Sequence, residues 1–97
     1  MKFDWNEAKR DLNYEKHGVD FERAAAIFAG PVWERIDTRK DYGEERIIAM
    51  GEFAGDVMVV TYTWRNGARR LISAWQGGRK EHEQYHTYVS GRDSGQE

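Results

Sequence analysis

Between Val57 and Trp64 the chain reads VMVVTYTW, a run built from β-branched and aromatic residues with a single methionine. Side chains of this kind fit a pleated, half-buried surface, so the run predicts a strand. Asn66-Gly67 follows at once, a dipeptide suited to tight hairpin turns because both residues tolerate positive φ. Arg69 to Trp75 (RRLISAW) then predicts a returning strand. Working backwards, Arg46–Phe53 forms another strand that turns at Ala54-Gly55, and Val32–Ile36 forms one more. The expectation is an antiparallel sheet of about four strands, with Phe3–Trp5 as a possible short edge strand.

The flanking segments change period. Asn6 or Asp4 is placed to cap a helix that runs to His17, with Gly18 as its C-cap. Its apolar content is thin: Ala8, Leu12 and Tyr14. Asp20 caps a second helix whose buried face is Phe21, Ala24, Ala25, Ile27 and Phe28, and Gly30-Pro31 ends it. After Gly77-Gly78, Arg79 to Val89 predicts a third helix, with residues 85, 88 and 89 on one face. Two helices, four strands and a helix in that order predict an α+β domain with helices on one face of the sheet. The domain is read as residues 1–89, with 90–97 a polar, flexible tail. Strict alternation puts Ile72 and Ala74 on one face of the last strand, and Arg69, Leu71, Ser73 and Trp75 on the other.

Composition narrows the function classes. Ninety-seven residues make one domain, and there is no apolar run of the ~20 residues that a membrane span needs. The N-terminus MKFDWNEAKRD carries acids and no apolar core, so no secretory signal is read there and the expected location is the cytoplasm. With no cysteine there is neither a disulfide framework nor a thiolate metal site. A net charge of −2 argues against a general nucleic-acid binder. The charge is nevertheless uneven: residues 1–60 hold nine Lys/Arg against thirteen Asp/Glu, residues 61–97 six against four. Arg65, Arg69, Arg70, Arg79 and Lys80 follow one another with no acid between. A strand passing through glycines into a helix N-terminus aims N–H groups outward, an arrangement that suits a phosphate. Any polyanion contact is therefore expected in this stretch.

Three blocks of residues run along nearly the whole chain. The first is Phe3/Trp5, Lys9, Asn13, Lys16-His17-Gly18-Val19, Phe21, Ala24 and Phe28. The second is Gly43-Glu44-Glu45-Arg46 with Gly51, and the last is Arg70-Leu71-Ile72-Ser73-Ala74 with Glu81 and Tyr85. In this combination and spacing the chain resembles the BrnT-type toxins, and the resemblance implies a RelE-like fold and the ribonuclease role in a type II toxin–antitoxin pair. It implies translation arrest by RNA cleavage and a cognate BrnA-like antitoxin. It further implies indirect DNA association through that antitoxin and a higher-order complex. Such ribonucleases direct the ribose 2′-OH at the adjacent phosphate and need no metal or cofactor; the protein holds the phosphate and relays protons. On this resemblance Arg70, Ser73, Arg79, His82 and Tyr85 are the catalytic candidates, and Arg46, Trp75 and Lys80 the RNA and phosphate contacts. His17 is a further candidate proton carrier, imidazole being the side chain that changes charge nearest neutrality.

Two residues depart from the family pattern. Trp75 stands where arginine continues the I-S-A block, and His82 stands where arginine commonly follows the glutamate. An indole stacks on a base but neutralises no phosphate. This motivates the alternative of a catalytically weakened homologue that serves as an antitoxin-binding module. A remoter alternative is His82-Glu83-Gln84-Tyr85-His86, which matches the HExxH zinc pattern. Its candidate third ligands are Asp93 and Glu97, in the polar tail, so the two histidines are read as packing or surface residues.

Overall fold

The computed structural model describes residues 1–94. In chain order it contains β1 (Phe3–Asp4), α1 (Glu7–His17), α2 (Phe21–Ala25), a 3-10 turn (Ala26–Ala29), β2 (Trp33–Ile36), β3 (Ile47–Phe53), β4 (Asp56–Arg65), β5 (Ala68–Gln76) and α3 (Arg79–Ser94). The fold is α+β, but the sheet has five strands rather than four and is mixed, in the order β1-β5-β4-β3-β2. The fifth strand is the two-residue β1, which lies parallel to β5 with Phe3 opposite Arg69 and Asp4 opposite Arg70. So short a strand carries no period of its own, which is why its pairing was not legible in the sequence. α3 runs five residues beyond Val89, so residues 90–94 are helical, and 95–97 lie outside the described residues.

Local chemistry sets the turns and caps. Asn66 and Gly67 both have positive φ (53° and 77°), as do Ala54 and Gly55 (52° and 85°). These are the conformations that let a two-residue loop follow the twist of a hairpin. Asn6 caps α1 by accepting from the Lys9 N–H, and Gly18 closes it in the left-handed region with its N–H on the Tyr14 carbonyl.

Phe21, Ala24, Ile27 and Phe28 cover one face of the sheet and bury Ala49, Met58, Val60, Tyr62, Leu71 and Ala74. α1 joins this core by polar rather than apolar contact. Leu12 and Tyr14 are exposed, and Asn13 is the helix's buried residue. The Asn13 amide donates to the carbonyls of Val19 (3.0 Å) and Ala74 (2.8 Å) and accepts from the Ala74 N–H (3.1 Å). A single side chain thus pairs with β5 as a neighbouring strand would.

The alternation expected along β5 is broken by a bulge. Thr61 pairs with Ser73 but Tyr62 pairs with Leu71, leaving Ile72 as the extra residue. A bulge of this kind shifts the pleat by one residue. Leu71 therefore joins Ala74 in the core, not Ile72 as strict alternation had it. Arg69 turns to the helix-covered face, its guanidinium 4.4 Å from the Phe28 ring centroid and 4.7 Å from that of Trp64. Arg70, opposite Thr63, is brought onto the face of Ser73 and Trp75.

Candidate functional site

The sheet face turned away from α2 is organised in rows that cross the strands. One row is Trp33, Met50, Val59 and Trp75, each paired with the next. The next is Arg35, Ile48, Thr61 and Ser73, and beyond it Thr63 pairs with Arg70. The first row floors an open cleft of about 550 Å³, whose wall on the α3 side is Lys80, Glu81 and Gln84. In the second row the Thr61 hydroxyl is buried without a hydrogen-bond partner.

Trp75 divides this cleft from a second hollow of about 620 Å³, lined by Lys16, His17, Arg39, Ser73, Trp75 and Gln76. The Asn13–Ala74 clamp creates the second hollow, because it fixes the end of α1 beside β5. The His17 ring lies 6.1 Å from that of Trp75. Arg39 arrives from the loop after β2. Its Nε and Nη2 donate to the two carboxylate oxygens of Asp37 at 2.9 and 2.7 Å, and its backbone N–H donates to the same carboxylate. The Asp37 side chain is wholly buried whereas that of Arg39 is 65% exposed, so the acid anchors a cation that faces outward. The guanidinium holds the Asp37 carboxyl far below the usual carboxylate range, and Asp37 in turn raises Arg39.

The remaining candidates lie elsewhere. Arg46 and Arg70 line a smaller pocket of about 200 Å³ with Lys9 and Arg65. These arginines are engaged: Arg70 with Asp4, Arg46 with Glu44 at 3.4 Å and over the Tyr42 ring at 4.0 Å, Arg65 with Glu44 at 3.7 Å. The hydrogen bond from Arg70 lowers the Asp4 carboxyl. Arg79 is exposed at the start of α3, while Tyr85 is buried with its hydroxyl donating to the Pro31 carbonyl at 2.7 Å. His82 is half-buried, its ring 6.2 Å from that of His86, which faces Glu52 at 3.6 Å. Among the described residues no group of three or more His, Asp or Glu is arranged to hold a metal ion. Of the expected third ligands, Glu97 lies outside the described residues, as does the side chain of Asp93.

The glycine pair is less open to a phosphate than its sequence suggests. The Gly77 N–H donates to the Val57 carbonyl (2.8 Å), and the Gly78 N–H donates to Glu81 Oε1 (2.7 Å). Glu81 thus caps its own helix by the glutamate half of a capping box, the N-cap glycine having no side chain to return the bond. A Cβ on Gly77 would stand 2.7 Å from that of Glu81, so close packing is what the glycine serves.

Ser73, Trp75 and Lys80 therefore adjoin one connected region, joined by Lys16, His17, Arg39, Trp33, Met50 and Val59. Sequence reasoning missed Lys16, Arg39 and Trp33 as site residues. Lys16-His17 was in view as a motif, but no local signal places a helix end and a β2 loop beside the same tryptophan.

The helices do not share one face of the sheet as expected: α2 covers one side, while α3 walls the tryptophan-floored, cation-rimmed cleft on the other, giving an α+β domain with an open surface groove. The sequence assigns it further. A family model described as the ribonuclease toxin BrnT of type II toxin–antitoxin systems matches residues 5–81. The chain belongs to this BrnT family, and so to the toxins of type II toxin–antitoxin systems, which implies an antitoxin partner. A search among curated proteins gives no match. Among the described residues no helix is long and apolar enough to cross a membrane.

Proposed function

We propose that the chain cleaves RNA at the hollow beside Trp75 and so arrests translation. The observation that carries this reading is the position of Trp75, with a cleft floored by Trp33, Met50 and Val59 and walled by polar side chains on one side, and a hollow lined by Lys16, Arg39 and His17 on the other. A base stacks in the first while its phosphate lies in the second. Lys16 and Arg39 neutralise the phosphate and the charge that develops on it. The ribose 2′-oxygen attacks phosphorus as the bond to the 5′-oxygen breaks, giving a 2′,3′-cyclic phosphate and a free 5′-hydroxyl. His17 takes the proton from the 2′-OH and returns it to the departing oxygen. Ser73, on the floor, donates a hydrogen bond to a phosphate oxygen. The charge that the family's arginine brings at position 75 is supplied here by Arg39 and Lys16.

The RelE-like fold implied by the resemblance belongs to the same reading, supported by an antiparallel β2–β5 meander with α2 on one face and a cleft between the sheet and α3 on the other. So do a BrnA-like antitoxin, DNA association through it, and a higher-order complex. The cytoplasm is the compartment where such a toxin meets its transcripts.

Purified protein incubated with RNA in the presence of a chelator should give fragments ending in cyclic phosphate. His17→Ala should slow cleavage by roughly 10²–10⁴-fold. Intact RNA under these conditions, together with normal growth on induced expression in bacteria, would sink the reading. A second reading has its own support: Arg46 and Arg70 are tied to carboxylates and position 75 bears no charge. On that reading the protein binds its antitoxin and cuts nothing. It predicts a folded, antitoxin-binding product that leaves transcripts whole.

A further inference from the structure

We infer that Trp33 is a second base-stacking station, so that the cleft takes an unpaired RNA segment reaching from Trp75 to Trp33. The inference rests on the reading of the cleft as the RNA site. Trp33 and Trp75 end the same cross-strand row, three strand spacings apart. At ~4.8 Å per spacing they stand about 14 Å from each other. Met50 and Val59 between them present apolar surface and no hydrogen-bonding edge, which suits base faces of any identity.

Trp33 is built as a platform. Its indole is 39% exposed, and the Tyr88 ring lies behind it, 5.9 Å between centroids and 18° from parallel. The Tyr88 hydroxyl donates to the Val32 carbonyl at 3.1 Å, which fixes the backing ring. An indole already held in place loses little freedom when a base settles on it. Each station also has its cation: Lys16 and Arg39 adjoin Trp75, and Lys80 lines the hollows on both sides of Trp33. Indole and cation repeated along a groove are what a single strand requires, a face for the base and a charge for the next phosphate. Paired bases present no free face, so a duplex cannot use either station.

The test is fluorescence anisotropy with a short all-deoxy oligonucleotide, which lacks the attacking hydroxyl and so stays whole. The same strand in duplex form and an abasic strand of equal length serve as comparisons. Trp33→Ala and Trp75→Ala should each weaken single-strand binding by roughly five- to a hundredfold, and Trp33→Phe should restore most of the loss. Duplex and abasic strands should bind weakly and not respond to either change. Because loss of Trp33 also unstacks Tyr88, the indole N–H resonance of Trp33 in the unaltered protein gives a second readout, and it should move when the strand is added. An unmoved resonance, or equal binding of duplex, overturns the second station while single-strand binding that depends on Trp75 keeps the RNA reading. No binding of any strand overturns both. A resonance that moves only with the antitoxin makes Trp33 part of a protein interface instead.

Discussion

Asp37 shows how a buried charge serves an exposed one. Its carboxylate is out of water, yet Arg39 satisfies it with three hydrogen bonds while staying open to solvent. Since the folded pKa of Asp37 is depressed, its contribution to stability is fully present above the unfolded value of about 3.8 and is lost as pH falls below that. Asp37→Asn should therefore melt earlier than the parent at pH 6, with the gap closing below about pH 4, as thermal denaturation across pH would show. It should also weaken RNA binding, because Arg39 loses its anchor. Tyr62 titrates at the other extreme: burial, aided by the Glu34 carboxylate, pushes its hydroxyl up to about 12. A third consequence concerns Gly51, where a Cβ would stand 2.8 Å from that of Ile27. Gly51→Ala should cost about 1–3 kcal/mol in chemical denaturation and leave the RNA face, on the other side of the sheet, as it was.

Among the elements, β5 organises the site, and its two devices differ in how far the sequence betrays them. The hairpin that carries it was plain from Asn66-Gly67 and the VMVVTYTW run. The bulge at Ile72 was not, because Leu71, Ile72 and Ala74 are all apolar and any two of them satisfy the alternation. That one residue decides whether Arg69 or Arg70 shares a face with Trp75. Asn13 was equally opaque: within a polar helix, nothing local distinguishes an asparagine that faces water from one paired with a strand 61 residues away. Asn13→Ala should leave the peptide groups of Ala74 without their partner, a loss of about 1–3 kcal/mol by denaturant titration. It should also uncover the β5 edge and promote self-association, measurable by light scattering. The glycine pair before α3 was read as a phosphate cradle because spacing alone cannot show that Glu81 turns back to occupy it.

Across the whole molecule, charge is allotted by face rather than by total. A net −2 coexists with Lys16, Arg35, Lys80 and the Asp37-anchored but exposed Arg39 around the clefts, while Arg10, Arg23, Arg46 and Arg70 are held by carboxylates elsewhere. If RNA lies there, the four cations of the cleft and hollow (Lys16, Arg35, Arg39 and Lys80) set the slope of log affinity against log salt at about −3, shallow beside that of broadly basic binders. A markedly steeper slope would mean that the arginines paired here exchange their carboxylates for phosphate. The α+β class and the hairpins were readable from local pattern, and Ser73, Trp75 and Lys80 were in view as candidates, but the Lys16, Arg39 and Trp33 that stand near Trp75 were not. Nor were the rows across the sheet, since they depend on the register of three successive strand pairs and on the bulge at Ile72, which local pattern leaves open.

That dependence has a consequence in time. The row that floors the cleft draws on residues 33, 50, 59 and 75, and β5 is held on its outer side by Phe3-Asp4 and Asn13. The β1–β5 pairing and the Asn13–Ala74 bonds, which join distant parts of the chain, form late and slowly, since loop closure precedes any gain from them. A ribosome-tethered fragment that has not yet released Gln76 has no second tryptophan, no Asn13 clamp and no hollow for a phosphate. If the cleft is the RNA site proposed above, the nascent chain leaves the message being read intact, and cleavage begins only when its own synthesis is nearly done.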